Sequence, residues 1–429
     1  MTRAARPEAP SEALVELAVE HIGARGDGIA HYGGEPVFVP FTVPGDRVRA
    51  RLGSRRYGGR EGLVVDRLAS GPGRTAPRCR HFEICGGCGL QHLDAASYRR
   101  VKLDTVRTAL ERAGIDPGVV APMRLVPPER RRARVGISRP HDPRLPVRVG
   151  YRERFRHDLV DLRECPVLEP KIFALIGGLR QVACKLVAAG GSAEAMLTRT
   201  DSGVDLLIEA VERPSLDACE ALARLAEVAD LARIVWRSAR EEIVVIEGRR
   251  VRILRSGVAV SFPPGAFLQA SSSAEAILVE EVVSAIGTKR PAADLFAGLG
   301  TFTFALARRG PVHAVEGEAR AAAALARAAA GTPGITVERR DLARNPLPAE
   351  ALAHYAAAVF DPPRAGAARQ VEVLAASAVG TVVAVSCNPA TFARDAATLI
   401  AGGYHLERVT PVDQFVWSPH LELAAVFRR

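Results

Sequence analysis

The chain has 429 residues, 48% of them hydrophobic and 25% charged, with a net charge of +10 and a pI near 9.6. This composition excludes a chain disordered throughout and supplies enough apolar residues for two or three domains with cores. No run approaches the roughly 18 apolar residues of a membrane span, and Met1 to Pro10 lacks the apolar centre of a signal peptide, so a soluble cytoplasmic protein is expected. The positive charge rests on arginine, because only Lys102, Lys171, Lys185 and Lys289 are lysines. The planar guanidinium fork suits phosphate, which makes a nucleic acid the expected partner class.

From Leu14, the residues Val15, Leu17 and Val19 alternate with polar or small neighbours, the period of a half-buried strand. Turn signals follow at Gly26, Gly28, Gly33-Gly34, Pro44-Gly45 and Gly58-Gly59, with short strands between them at Pro36 to Pro40, Asp46 to Leu52 and Gly62 to Asp66. Five short strands at this spacing predict a small OB-like β-barrel over 11–69. Arg25, Arg55, Arg56 and Arg60 could track a phosphate backbone while Tyr57 offers a stacking face.

Cys79, Cys85 and Cys88 come next, with Gly86 and Gly87 inside the tight half. Cysteines three apart can converge on one metal, and three ligands leave a tetrahedral site open, so a fourth is needed. Cys165, in Arg163-Glu164-Cys165-Pro166, is taken as that ligand, because Cys-Pro is a familiar ending of iron–sulfur motifs. Cys184 and Cys219 lie in Ala/Leu-rich, helix-like stretches and read as packing residues. Zinc remains open on spacing alone; a disulfide does not suit a cytoplasmic chain.

Asp94 reads as the N-cap of a helix over 94–113 that ends at Gly114. Strand-like segments at Ala133 to Ser138, Ala195 to Thr200, Val204 to Glu209 and Glu242 to Glu247 then alternate with helical ones, predicting an α+β middle domain within 70–260. Between Arg124 and Arg156, eleven arginines stand against three acids, a local excess of +8 that fits a polyanion.

In the last part, 261–429, apolar strands alternate with helices as in a Rossmann-like α/β domain. Asp294-Leu295-Phe296-Ala297-Gly298-Leu299-Gly300-Thr301 is a strand running into a glycine loop, and Val312 to Glu316 is a strand ending in an acid. That pair alone could equally serve NAD. Ala357-Ala358-Val359 leads into Phe360-Asp361-Pro362-Pro363-Arg364, and Thr381 to Val385 leads into Ser386-Cys387-Asn388-Pro389. A lone cysteine after an apolar strand is ordinarily a small core residue. Here it falls at a strand's carboxyl end, where open α/β sheets bind ligands.

The ordered set DLFAGLGTFTFALA, FDPPRAG, SCNPATFARD and SPHLELAAVF resembles the RNA uracil-5-methyltransferases that use S-adenosylmethionine, a likeness that covers nearly the whole chain. The resemblance implies a class I methyltransferase domain, a [4Fe-4S] cluster on the four cysteines, and a front segment similar to the TRAM-type RNA-binding barrel. It implies that the 94–113 helix packs on the catalytic domain. Cys387 would attack C6 of uracil, and Glu422 would be the general base that removes the C5 proton. Cofactor contacts would come from Gln269, Asp294, Phe296, Gly298, Gly300, Thr301, Glu316, Asp341 and Asp361, with Gln269 or Asp361 also reaching the base. Thr301 stands where the family has Asn. Phe360, Phe392 or Phe415 would wall the flipped base.

The implied product is 5-methyluridine in structured RNA: 23S rRNA first, tRNA as the alternative, since tRNA members tend to lack the barrel or the cluster. No obligate protein partner is evident. A DNA cytosine methyltransferase is a rival, but it carries its Cys in the Asp-Pro-Pro region, where this chain has none. A non-catalytic RNA-binding iron–sulfur protein is the rival from another class, opposed by Cys387 and Glu422.

Overall fold

The computed structural model describes residues 14–429, so the reading of Met1 to Pro10 and the first three residues of the expected barrel lie outside the described residues. The chain divides into two compact units. One ends at Thr105 and takes in Trp417–Pro419; the other comprises Val106–Val416 and His420–Arg429.

In the first unit, alternation along Leu14–Ala18 does what its period predicts: Val15 and Leu17 are buried and their neighbours exposed. The sheet has six strands in the spatial order Leu14–Ala18, Arg47–Arg56, Gly59–Ala69, Glu35–Val39, Gly28–Tyr32 and His21–Ile22. Its core is Val15, Leu17, Ala30, Val37, Val39, Val48, Ala50 and Leu52. Asp46 is fully buried and accepts from the amides of Val43 (2.9 Å) and Gly71 (2.8 Å) while pairing with Arg74. A buried carboxylate requires such partners, and these tie the two ends of the sheet's longest excursion together. The helix Ala95–Arg112 is capped by Asp94, whose Oδ1 accepts from Ser97 N at 2.7 Å, as its sequence predicts. Val106 and Leu110 of that helix belong to the core of the second unit.

The second unit contains two large sheets. A six-stranded mixed sheet runs Glu242–Glu247, Leu231–Arg237, Gly203–Glu209, Ser192–Thr200, Arg132–Ser138 and Arg148–Gly150, with the helices Pro170–Leu186 and Leu216–Val228 packed against its strands. The four strand-like segments read in the middle region are all strands here.

The other sheet has eight strands in the order Ile335–Arg339, Val312–Glu316, Ala292–Leu295, Ala357–Phe360, Thr381–Ser386, Glu422–Arg428, His405–Asp413 and Arg124–Leu125. The first five are parallel, and Glu422–Arg428 inserts antiparallel between Thr381–Ser386 and His405–Asp413. Both faces are covered, which is why its strands read as continuous apolar runs. Val382, Ala384, Leu423, Ala425 and Phe427 face the core formed with Val371, Leu374, Phe392 and Leu399. Val383, Val385, Ala424 and Val426 face Ala274, Leu278, Val282 and Ile286 of the helix Ser272–Ile286. Strand order reverses between Ala292–Leu295 and Ala357–Phe360, so a ligand crevice opens there at the strands' carboxyl ends.

Candidate active site

Parallel register sets the edge. Leu295 pairs with Val315 and Phe360, and Phe360 with Ala384, so the segments beginning at Phe296, Glu316, Asp361 and Cys387 emerge side by side. Phe296 takes φ +60, a conformation rare for a bulky residue and typical of sites where the loop's course matters more than local comfort. Gly298 has φ +56, and a Cβ there would meet nothing within 4 Å, so the loop presents open space at that point. Its amide donates to Glu316 Oε2 at 2.7 Å, and Glu318 N donates to Oε1 at 2.6 Å, which holds the Glu316 carboxylate at the crevice.

The other expected contacts are placed differently. Gly300 faces inward: a Cβ would lie 2.6 Å from Phe304 and 2.8 Å from Leu325. Asp294 is fully buried beneath the loop, where Thr303 Oγ1 donates to its Oδ2 at 2.5 Å and its Oδ1 has no hydrogen-bond partner. Burial, reinforced by the charges of Asp361 and Glu316, raises its pKa to about 7. Thr301 is half-buried. Asp341 follows the strand Ile335–Arg339, is exposed, and accepts from Ala343 N at 3.1 Å.

Cys387, Asp361, Arg364 and Glu422 are gathered in one cluster. Glu422 opens the antiparallel strand, and the pairing of Leu423 with Ser386 sets it beside the residue that follows Ser386. Burial pushes the Cys387 thiol up to about 11, with Glu422 and Asp361 adding to the rise, while the charge of Arg364 and its hydrogen bond to the sulfur oppose it. Glu422 is raised well above the carboxylate range, first by burial and then by the charge of Asp361. Asp361 is raised by burial against the hydrogen bond from Gln269. Three acids crowd together, so the resting cluster retains protons at neutral pH.

Two loops are clamped to make this cluster. Asn388 caps the helix Pro389–Ala401 through Ala390 N (3.1 Å), and its Nδ2 donates to Arg364 O at 3.2 Å. Gln269 Nε2 donates to Asp361 Oδ2 at 2.9 Å, and Gln414 Nε2 reaches Gln269 Oε1 at 2.8 Å and Glu422 Oε2 at 2.6 Å. Arg364 and Gln414 were not singled out from the sequence. Arg364 could have been found as the cation of a motif otherwise composed of acid and proline; Gln414 carried only the weak signal of a polar residue ending an apolar strand.

Two expectations need correction. Phe360 and Phe392 are 2% exposed and belong to the core, so they cannot wall a base. Cys184 is exposed on its helix rather than packed. Within the arginine-rich stretch 124–156, some arginines are engaged by acids distant in sequence: Arg124 pairs with Glu280 and Glu281, Arg131 with Glu275, Arg134 with Glu194 and Glu209, and Arg152 with Glu194. Arg131 also donates to Gln269 O at 3.0 Å, which makes it a brace of the site.

Cys79, Cys85 and Cys88 lie in the first unit and Cys165 in the second. Among the described residues, no group of three or more His, Cys, Asp or Glu side chains is gathered as metal ligands would be.

The tRNA (uracil-5-)-methyltransferase family matches residues 336–429, the C-terminal segment that carries Asp361, Cys387 and Glu422. An uncharacterized RNA methyltransferase of Caulobacter vibrioides is 42% identical over 97% of this chain and 100% of its own length. The 23S rRNA (uracil(1939)-C(5))-methyltransferase RlmD of Halomonas elongata is 34% identical over 96% of this chain and 89% of its own. The chain belongs to the RNA uracil-5-methyltransferase family. A crystal structure of the tRNA (uracil-54, C5)-methyltransferase of Pyrococcus abyssi, in complex with S-adenosyl-L-homocysteine, shares the fold with a TM-score of 0.74 and 24% identity, covering 96% of this chain and 99% of that one.

This methyltransferase is an RNA-modifying enzyme that uses S-adenosylmethionine. A Cβ at Gly298 would meet open space, and both Glu316 oxygens accept from loop amides. No helix among the described residues is long and apolar enough to cross a membrane.

Proposed function

We propose that the enzyme methylates C5 of a uridine in 23S rRNA, in the cytoplasm, through a covalent bond between Cys387 and C6. The observation that carries this reading is the convergence of Cys387, Asp361 and Glu422 on one sheet edge beside the glycine loop. S-adenosylmethionine supplies an electrophilic methyl group, held by the loop at Phe296, Gly298 and Thr301, with Glu316 on the ribose and Asp341 at the far end. Cys387 adds to C6, and the C5–C6 electron pair passes toward O4, which makes C5 nucleophilic. After C5 has gained its methyl group, Glu422 takes the C5 proton, the C5–C6 double bond re-forms and the thiolate leaves. The thiol proton and the C5 proton both need acceptors; the raised affinities of Asp361 and Glu422 for protons support them in those roles.

The 23S rRNA substrate is supported by the RlmD relative at 34% identity. A tRNA substrate is the second reading, favoured by the description of the matching family and by the tRNA enzyme that shares the fold. Methylation of each RNA, isolated from a strain lacking the enzyme, separates them.

We further assign the front sheet as a TRAM-like RNA-binding barrel over 11–69, a central iron–sulfur α+β domain over 70–260, and the methyltransferase domain over 261–429. Tyr57 is 71% exposed and the Arg25 guanidinium lies 3.2 Å from its ring centroid, a pair suited to stacking on RNA. A [4Fe-4S] cluster on Cys79, Cys85, Cys88 and Cys165 is what the family resemblance implies; the spacing of the first three suits a metal, and Cys165-Pro166 is a familiar ending of iron–sulfur motifs. Anaerobically purified protein is then brown and contains iron, and replacing any one of the four bleaches it; stoichiometric zinc without iron overturns the assignment.

The central experiment distinguishes the two catalytic residues by where the reaction stops. Cys387→Ala yields neither product nor a covalent protein–RNA species. Glu422→Gln permits attack and transfer but blocks proton removal, so a methylated adduct resistant to denaturing gels accumulates. RNA carrying 5-fluorouridine traps the unaltered enzyme in the same way, because fluorine cannot leave as a cation. Methylation by Cys387→Ala ends the covalent reading.

A further inference from the structure

The Glu422 carboxylate is buried, 2% exposed, and one of its oxygens is committed before any substrate arrives. The commitment starts from a backbone amide. Ala270 N donates to Gln414 Oε1 at 3.1 Å, and a backbone N–H can only donate, so this contact fixes which end of the Gln414 amide is oxygen. The Gln414 NH2 group must therefore point the other way. Its two hydrogens go to Gln269 Oε1 at 2.8 Å and Glu422 Oε2 at 2.6 Å. With its own oxygen so occupied, Gln269 turns its NH2 to Asp361 Oδ2 at 2.9 Å. One directed chain of donors thus runs from Ala270 through two amides and ends on both carboxylates.

We propose that Gln414 is a positioning residue for the proton-removal step, holding Glu422 Oε2 as a permanent acceptor so that the C5 proton is received on Oε1. This rests on the reading of Glu422 as the base. The Gln414 N–H occupies one lone pair of Oε2 and lowers its basicity, so Oε1, which Gln414 does not touch, is the favoured acceptor while the amide keeps its orientation. The same hydrogen bond favours the ionised form of a carboxylate that its surroundings push toward neutrality. Facing Glu422 are the Asp361 carboxylate, which disfavours its charge, the Arg364 guanidinium, which favours it, and the Cys387 thiol. Gln414 reaches Glu422 because His405–Asp413 pairs with Glu422–Arg428, with Val412 opposite Glu422.

The test uses the full-length enzyme with two variants, Gln414→Met, which keeps the length and removes the donor, and Gln414→Glu, which keeps the shape but replaces the donor by a carboxyl oxygen facing Glu422. Both should trap 5-fluorouridine RNA within about threefold of the unaltered enzyme, since attack and transfer do not need Glu422 ionised. On ordinary uridine RNA both should accumulate methylated adduct. The rate of adduct breakdown should fall by 10-fold or more, and its rise with pH should move upward by about one unit, the loss of a charge-assisted hydrogen bond. Should Gln414→Met fail to fold by circular dichroism, Gln414→Glu decides alone. Unchanged breakdown with an unshifted pH profile, or loss of fluorouridine trapping in a folded variant, overturns the proposal. If the unaltered enzyme itself traps no fluorouridine RNA, the covalent reading fails instead.

Discussion

Gln269 Nε2 lies 2.9 Å from Asp361 Oδ2, joining the loop before the helix Ser272–Ile286 to the Asp-Pro-Pro-Arg segment 92 residues later in the chain. That hydrogen bond holds Asp361 in place and opposes the rise that burial imposes on its pKa. Gln269→Leu should leave Asp361 protonated to higher pH and free to rotate. We expect kcat to fall by about 10- to 100-fold with a smaller change in KM, the pattern of a group that orders the reacting state. Steady-state kinetics on uridine RNA decide; a pure KM effect would mean that Gln269 serves binding alone.

Arg364 is the cation that opposes the rise of the Cys387 thiol to about 11. Arg364→Met removes both its charge and its hydrogen bond to sulfur, so the thiol should titrate still higher. Alkylation of Cys387 by iodoacetamide should slow at pH 8 to 9, and adduct formation with 5-fluorouridine RNA should drop by about 10-fold or more. In the unaltered enzyme, alkylation should climb steadily up to about pH 11. A plateau near pH 8 would show that the thiolate is already formed in the resting enzyme.

Asp294 links protonation to stability. Its folded pKa, about 7, lies above the unfolded value of 3.8, so the folded state holds the proton more tightly. Its contribution is greatest below the unfolded value and declines as pH rises to about 7; a shift of this size corresponds to roughly 4 kcal/mol at most. Asp294→Asn should therefore stabilise the enzyme by about 1–2 kcal/mol at pH 8, less than the full amount because the new NH2 occupies the place of an oxygen without a partner. The gain should vanish near pH 4. Urea denaturation at the two pH values tests it, and equal effects at both would refute the buried-carboxyl account.

The two glycines of the loop should respond differently. Gly298→Ala meets open space and costs only the strain of its positive φ, about 1–2 kcal/mol, but places a methyl group in the crevice. Weaker S-adenosylhomocysteine binding with modest destabilisation is expected. Gly300→Ala adds a collision with Phe304 and Leu325 to the same strain and should cost about 2–5 kcal/mol. Calorimetric binding and thermal unfolding on the same samples separate the two; similar profiles for both would remove the distinction drawn between an outward and an inward glycine.

Much of the catalytic half was legible in the sequence because its signals are local. Strands buried on both faces read as apolar runs, and the glycine loop, Asp-Pro-Pro-Arg and Ser-Cys-Asn-Pro mark where those runs end. Cys387, Asp361 and Glu316 could therefore be placed on one edge from order alone. The helix after Asp94 was legible for the same reason, its cap being three residues from the amide it satisfies.

Tertiary structure decided what depends on partners far apart in the chain. Glu422 reaches Cys387 only because the last strand inserts antiparallel beside Thr381–Ser386, and Gln414 reaches Glu422 only through the neighbouring strand. The ion pairs of Arg124, Arg131 and Arg134 were hidden from the sequence because their acids, Glu194, Glu209, Glu275, Glu280 and Glu281, lie 60 or more residues away. Phe360 and Phe392 adjoin catalytic motifs in sequence yet point into the core. Proton affinities belong to the same class: nothing in the order of residues says that Asp294, Asp361, Glu422 and Cys387 share a buried space, and it is that shared burial, a property of packing, that raises all four.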